Sequence, residues 1–79
     1  MNIKVYSKYN CGKCEFVKRF LKANEIPFTE INVMDNPDQL KRLQDMGIGS
    51  LPYVEYEDGN FTGADMNELN KLKERSNAL

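Results

Sequence analysis

Apolar residues along this chain change their spacing several times, and each change predicts an element. Ile3-Lys4-Val5-Tyr6 reads as a first strand. From Gly12 to about Asn24, Cys14, Val17, Phe20 and Leu21 recur at i, i+3, i+6 and i+7, one face of a helix, and Pro27 marks the end of that segment. Phe28 to Val33 alternates like a second strand, with Phe28, Glu30 and Asn32 on one side and Thr29, Ile31 and Val33 on the other. Asn36-Pro37-Asp38-Gln39 carries the signature of a helix start: an Asn N-cap, Pro at the first helical position and Gln three residues after the cap. Leu40, Leu43 and Met46 are the expected buried stripe of this second helix, and Gly47 suits its C′ position. Leu51 to Tyr56 predicts a third strand. Asp58-Gly59 is a hairpin signal, and a short fourth strand follows around Asn60 to Thr62. Asp65-Met66-Asn67-Glu68 is a second capping box, opening a last helix with Met66, Leu69 and Leu72 inward and Lys71, Lys73 and Arg75 in its C-terminal half.

The order is therefore β-α-β-α-β-β-α. A right-handed crossover should make the first two strands parallel, and the hairpin makes the last two antiparallel. An α/β fold follows, a four-stranded mixed sheet flanked by three helices. Tyr9-Asn10 forms the loop after the first strand, so Cys11 and Cys14 fall at that strand's C-terminal end, where open α/β sheets place their chemistry.

Seventy-nine residues without repeat, linker or low-complexity tract make one domain, residues 1–79. A net charge of −1 offers no electrostatic footprint for nucleic acid or an anionic membrane. No apolar run approaches the ~18 residues that would span a bilayer, and Met1-Asn2-Ile3-Lys4 leads directly into strand sequence rather than a signal peptide. A cytoplasmic monomer is the expectation. In that compartment a cysteine pair is catalytic or metal-binding more often than a structural staple.

Cys11-Gly12-Lys13-Cys14 contains the two cysteines of the chain. At a strand-to-helix junction the first sulfur meets unpaired N–H groups and the positive end of the helix dipole, which favour a thiolate. The second sulfur lies one turn further in, within reach of a mixed disulfide formed on the first. That is the arrangement of a dithiol oxidoreductase. Cys11 is the expected nucleophile, with Lys8 and Lys13 adding positive charge nearby, and Cys14 the expected resolving thiol. Tetrahedral zinc wants four ligands, and a chain with no His and no further Cys would have to add carboxylates or a second copy's pair. A structural disulfide closing so short a loop would constrain the unfolded chain little.

Taken together, Lys8-Tyr9-Asn10-Cys11-Gly12-Lys13-Cys14, Ser50-Leu51-Pro52, and Asp58-Gly59 followed by Thr62-Gly63-Ala64-Asp65 resemble the glutaredoxin family, over residues 2 to about 75. Within it the chain looks closest to the small glutaredoxin-like proteins and the NrdH-type redoxins. The resemblance implies a thioredoxin-like (glutaredoxin) fold and a disulfide-reducing electron carrier with no bound cofactor and no metal. It implies a cis Leu51–Pro52 bond beside the sulfurs, with the backbone of Leu51 pairing with an incoming peptide or glutathione. It also places Lys8, Tyr9, Lys13, Gly63 and Asp65 among the substrate- or glutathione-binding residues. For Asp65 helix capping is a sufficient explanation too, and Lys8 also reads as a solvated surface residue. The implied partners are disulfide-containing proteins, ribonucleotide reductase among them. Glutathione or a thioredoxin-reductase-type flavoenzyme would supply the electrons.

Gly12-Lys13 differs both from the Pro-Tyr of many glutaredoxins and from the hydrophobic-Gln pair of NrdH-type redoxins. Thr62-Gly63-Ala64-Asp65 lacks the longer Ser-Gly-Phe-Arg-Pro-like segment of the latter. A second class of function also fits the residues: a redox switch, in which oxidation of Cys11 and Cys14 alters binding to a partner without turnover.

Overall fold

Two apolar clusters, one on each face of a four-stranded sheet, organise residues 2–77, the residues described by the computed structural model. The elements are β1 (Lys4–Ser7), α1 (Gly12–Ala23), β2 (Thr29–Asn32), α2 (Pro37–Asp45), β3 (Tyr53–Tyr56), β4 (Gly59–Thr62) and α3 (Met66–Asn77), in the expected order. The strands lie side by side as β2-β1-β3-β4. β1 and β2 run parallel, β3 antiparallel to β1, and β4 antiparallel to β3. Met1, Ala78 and Leu79, which the expected 1–79 domain includes, lie outside the described residues.

Alternation along the strands sorts side chains between the faces. Ile3 and Val5 join Val54 and Phe61 under α1 (Val17, Leu21) and α3 (Leu69, Leu72). Tyr6 and Tyr53 turn the other way and pack with Val33 and Leu43 of α2. The division expected within β2 is present: Ile31 and Val33 pack on the α2 side and Phe28 on the α1 side. Arg42 fastens α2 to the sheet, donating from Nη2 to the Tyr6 hydroxyl at 2.7 Å with its guanidinium 5.3 Å from the Tyr6 ring centroid.

Four local expectations are corrected. Met46 is 48% exposed rather than buried, because α2 stops at Asp45 and Met46 is its C-cap. Gly47 then turns the chain at φ +80, and Ile48 enters the core in its place, its N–H closing on the Leu43 carbonyl at 2.9 Å. Met66 is likewise exposed (43%): it belongs to the first turn of α3, and the cluster that receives Leu69 and Leu72 does not extend to it. Asn36 occupies the N-cap position without capping, because its side-chain amide donates to the Asn32 carbonyl at 2.8 Å. Gln39, expected to complete that box, accepts instead from Arg42 Nε at 3.1 Å. The hairpin turn is Glu57-Asp58, one residue earlier than the Asp-Gly signal, and Gly59 pairs with Tyr56 as a strand residue. A Cβ there would stand 2.6 Å from the Tyr56 hydroxyl, so any larger residue would have to displace that ring.

The end of α1 is built in an unexpected way. Glu25 N–H bonds to the Lys22 carbonyl at 3.1 Å and Ile26 N–H to the Leu21 carbonyl at 2.9 Å, the paired closure that normally places glycine at the C′ position. Here that residue is Glu25, at φ +56. A left-handed conformation costs a non-glycine residue roughly 1–2 kcal/mol, and the entropy of an unfolded glycine returns part of that. Glu25→Gly is therefore expected to stabilise the protein by about 0.5–1 kcal/mol, read as a higher urea midpoint at unchanged slope. An unchanged or lower midpoint would show that the left-handed turn is not a net cost.

Candidate active site

Strand register gathers the site. Tyr6 pairs with Tyr53, and Tyr53 with Thr62, while Ser7 pairs with Asn32. The residues that follow β1, β2 and β4 and those that precede β3 therefore meet at one end of the sheet. Lys8, Tyr9, Asn10 and Cys11 follow β1, Leu51 and Pro52 precede β3, and Gly63 and Asp65 follow β4.

Cys11 is the N-cap of α1, with extended backbone angles (φ −115, ψ 103) that turn the chain into the helix. Its sulfur accepts the N–H of Cys14 at 3.2 Å, as the oxygen of a Ser or Asp cap would. The two residues are joined as a disulfide across a Cα–Cα separation of 5.2 Å. Burial separates the pair: Cys14 is fully buried, whereas Cys11 keeps access to solvent. Gly12 and Lys13, between them, are exposed. Asn10, at φ +56, makes the tight turn that brings the chain from β1 to the cap.

Tyr9 is 58% exposed, and its hydroxyl donates to Asp35 Oδ2 at 2.5 Å. That hydrogen bond, with lesser contributions from desolvation and the Asp35 charge, holds the phenol above its usual value. Asp35 was not singled out in the sequence; only the packing of the β2–α2 loop beside Tyr9 reveals it. Lys8 and Lys13 are exposed and make no ion pair among the described residues. The Leu51–Pro52 bond is cis, Pro52 is buried, and Leu51 packs half-buried against the α2-side cluster. Pro52 and Gly63 come together directly: the Gly63 N–H donates to the Pro52 carbonyl at 2.8 Å, with Gly63 at φ +82. Asp65 is the cap of α3, its Oδ1 accepting from the N–H groups of Asn67 (3.0 Å) and Glu68 (3.2 Å). The reciprocal half of that box is absent among the described contacts, since the Glu68 carboxylate pairs with Lys71 at 3.3 Å.

One turn past Cys14 the sequence reading missed a charged group. Lys18 contacts Glu15 at 2.8 Å and Glu30 at 2.7 Å, and Glu30 also accepts from the buried hydroxyl of Ser7 at 2.9 Å. A signal for it existed: Glu30 alternates onto the Phe28 side of the second strand, the side that α1 covers.

This arrangement, a vicinal dithiol at a helix N-terminus beside a cis proline on a thioredoxin-like sheet, defines a redox protein of the thioredoxin fold. The glutaredoxin family model matches residues 3–61, and the chain belongs to that family. It is similar to the glutaredoxin-like protein NrdH of Lactococcus lactis subsp. cremoris, 39% identical over 70 residues that cover 89% of this chain and 97% of that protein. It is also similar to the NrdH protein of Salmonella typhimurium, 31% identical over 72 residues, 91% of this chain and 89% of that one. Among solved structures, that of the glutaredoxin-like protein NrdH-redoxin from Escherichia coli superposes with a TM-score of 0.88 at 29% identity, covering 91% of this chain and 95% of that one. The protein is an NrdH-like thiol–disulfide oxidoreductase with Cys11 and Cys14 as its redox pair. Among the described residues no helix is long and apolar enough to cross a membrane.

Proposed function

We propose that this protein is a cytoplasmic hydrogen donor to ribonucleotide reductase, recharged by a thioredoxin-reductase-type flavoenzyme rather than by glutathione. The observation that carries the division of labour is the unequal burial of the two sulfurs, with Cys11 capping the helix within reach of solvent and Cys14 enclosed behind it. The Cys11 thiolate attacks one sulfur of the substrate disulfide. A Cys11–substrate disulfide forms, and the other substrate sulfur leaves as a thiolate that takes a proton from water. The Cys14 thiolate then attacks Cys11 Sγ and releases the second substrate thiolate. The substrate gains two electrons and the protein is left with the Cys11–Cys14 disulfide, the state described here.

Around this pair, Lys8 and Lys13 add positive charge, and Tyr9 supplies an exposed ring held by Asp35. The backbone of Leu51 receives the substrate chain beside Pro52, and Gly63 and Asp65 close the groove on the α3 side. The preference for a flavoenzyme is supported by the Escherichia coli relative, a glutaredoxin-like protein described as having a thioredoxin-like activity profile. It is supported also by Lys13, which places a flexible cation where many glutaredoxins carry an aromatic ring.

The reductant is tested by offering the oxidised protein glutathione in one reaction and thioredoxin reductase with NADPH in another, and following free thiols. Fast reduction by the flavoenzyme and slow reduction by glutathione is the expected result. The reverse order of rates would overturn the flavoenzyme assignment.

A further inference from the structure

Lys18 is a cation that the disulfide chemistry leaves unused. Only 13% of its side chain is exposed, and its Nζ lies 2.8 Å from Glu15 Oε1 in its own helix and 2.7 Å from Glu30 Oε2 on β2. Glu30 Oε2 in turn accepts from the hydroxyl of Ser7, the fully buried last residue of β1, at 2.9 Å. One ammonium thus ties α1 to both strands beneath it, a turn away from Cys14. The hydrogen bonds to Glu15 and then Glu30 raise Lys18 above the usual lysine value, and Lys18 is the main cause that lowers Glu30.

Glu15 gives this contact a consequence for the dithiol. It is four residues beyond Cys11, its N–H donates to the Cys11 carbonyl at 3.1 Å, and residues so spaced share a helix face. Helical side chains lean toward the N-terminus, so a Glu15 carboxylate released from Lys18 would be free to turn toward the cap where a thiolate must form. Other ionisable groups at this end of the sheet are Lys8, Tyr9 and Lys13 on the segment of Cys11 itself, Asp35 from the β2–α2 loop and Asp65 from the β4–α3 segment. Asp35 is occupied by the Tyr9 hydroxyl and Asp65 by two helix N–H groups. Glu15 is the carboxylate in the first turn of α1, and Lys18 is the group that engages it.

We propose that Lys18 is a positioning residue of the dithiol: it draws Glu15 into an ion pair and anchors α1 to Glu30 and Ser7, so that the helix terminus acts on the Cys11 sulfur without an opposing carboxylate. The inference rests on Cys11 being the nucleophile and assigns the control of its charge environment.

The test is the pH profile of iodoacetamide alkylation of the reduced protein at low salt, with peptide mapping of the labelled cysteine and circular dichroism to confirm folding. Lys18→Met should move the profile to higher pH by about half a unit, an alkylation rate about threefold lower on the acid limb of the profile. Lys18→Arg should keep the original profile. Glu15→Gln alone should change it little, because the charge it removes is already compensated. In the Lys18→Met background, Glu15→Gln should restore most of the lost rate. An unshifted Lys18→Met profile, or a shift that Glu15→Gln does not repair, would overturn the proposal and leave Lys18 a packing residue. Labelling of Cys14 in place of Cys11 would overturn the nucleophile assignment instead, a failure distinguishable from the first.

Discussion

Cys11→Ser should reduce no disulfide above the uncatalysed background, while Cys14→Ser should complete the first half of the reaction and stop. The two sulfurs differ in position. The first is the helix cap, where unpaired N–H groups stabilise negative charge; the second is enclosed, with no access to a bulky disulfide. A serine hydroxyl at the cap would keep the hydrogen bond to the Cys14 N–H but is not ionised near neutral pH, so no nucleophile remains. With Cys14 replaced, the mixed disulfide on Cys11 has no intramolecular thiolate to resolve it and should accumulate. Turnover with a protein disulfide, together with mass spectrometry of the trapped adduct, reads both effects. A Cys11→Ser variant that still turned over, or an adduct on Cys14, would reverse the two roles.

Leu69→Ala should be strongly destabilising. Leu69 is fully buried where α3 meets α1, Val5 and Val54, and truncating such a leucine costs about 2–5 kcal/mol through lost transfer energy and the cavity left behind. A 79-residue domain has roughly 4–12 kcal/mol of stability in all, at about 0.05–0.15 kcal/mol per residue. The variant should therefore lose a large fraction of its urea stability and release the helix that follows Gly63 and Asp65. Met66→Ala, three residues earlier and exposed, should stay within about 0.5 kcal/mol of the parent. Similar losses at both positions would mean that the two stripe residues share one environment after all.

Those two neighbours show where sequence reading succeeds and where it ends. Spacing alone placed Met66, Leu69 and Leu72 on one face of a helix, and Leu69 and Leu72 are fully buried. Periodicity records direction around an axis, not how far along that axis a partner surface reaches, so Met66 was assigned to a core that stops short of it. Met46 failed similarly, because helix termination at Asp45 handed its place to Ile48. Asn36 had a capping sequence but a nearer acceptor in the Asn32 carbonyl, and local competition between hydrogen-bond partners is not written in residue type. The hairpin was found and its turn misplaced by one residue: Gly59 pairs with Tyr56 as a strand residue, in register with Val54 opposite Phe61, a long-range match that the Asp-Gly dipeptide does not record.

Legible in the residues alone were the element order, the parallel β1–β2 and antiparallel β3–β4 pairings, the position of the dithiol after the first strand and the inward stripe of Cys14, Val17 and Leu21, whereas the antiparallel contact of β1 with β3 was not. These follow from short-range chemistry: residue spacing, helix-start signals at Asn36-Pro37 and Asp65, and the length of each connection. The meeting of distant groups is a property of the folded chain. Tyr9 with Asp35, Gly63 with Pro52, and Lys18 with Glu30 and Ser7 are joined by strand register and helix docking, across separations that carry no local pattern. Local residue pattern sets which way a side chain faces, whereas the pairing of strands and the seating of helices set which distant group comes within hydrogen-bonding reach of it.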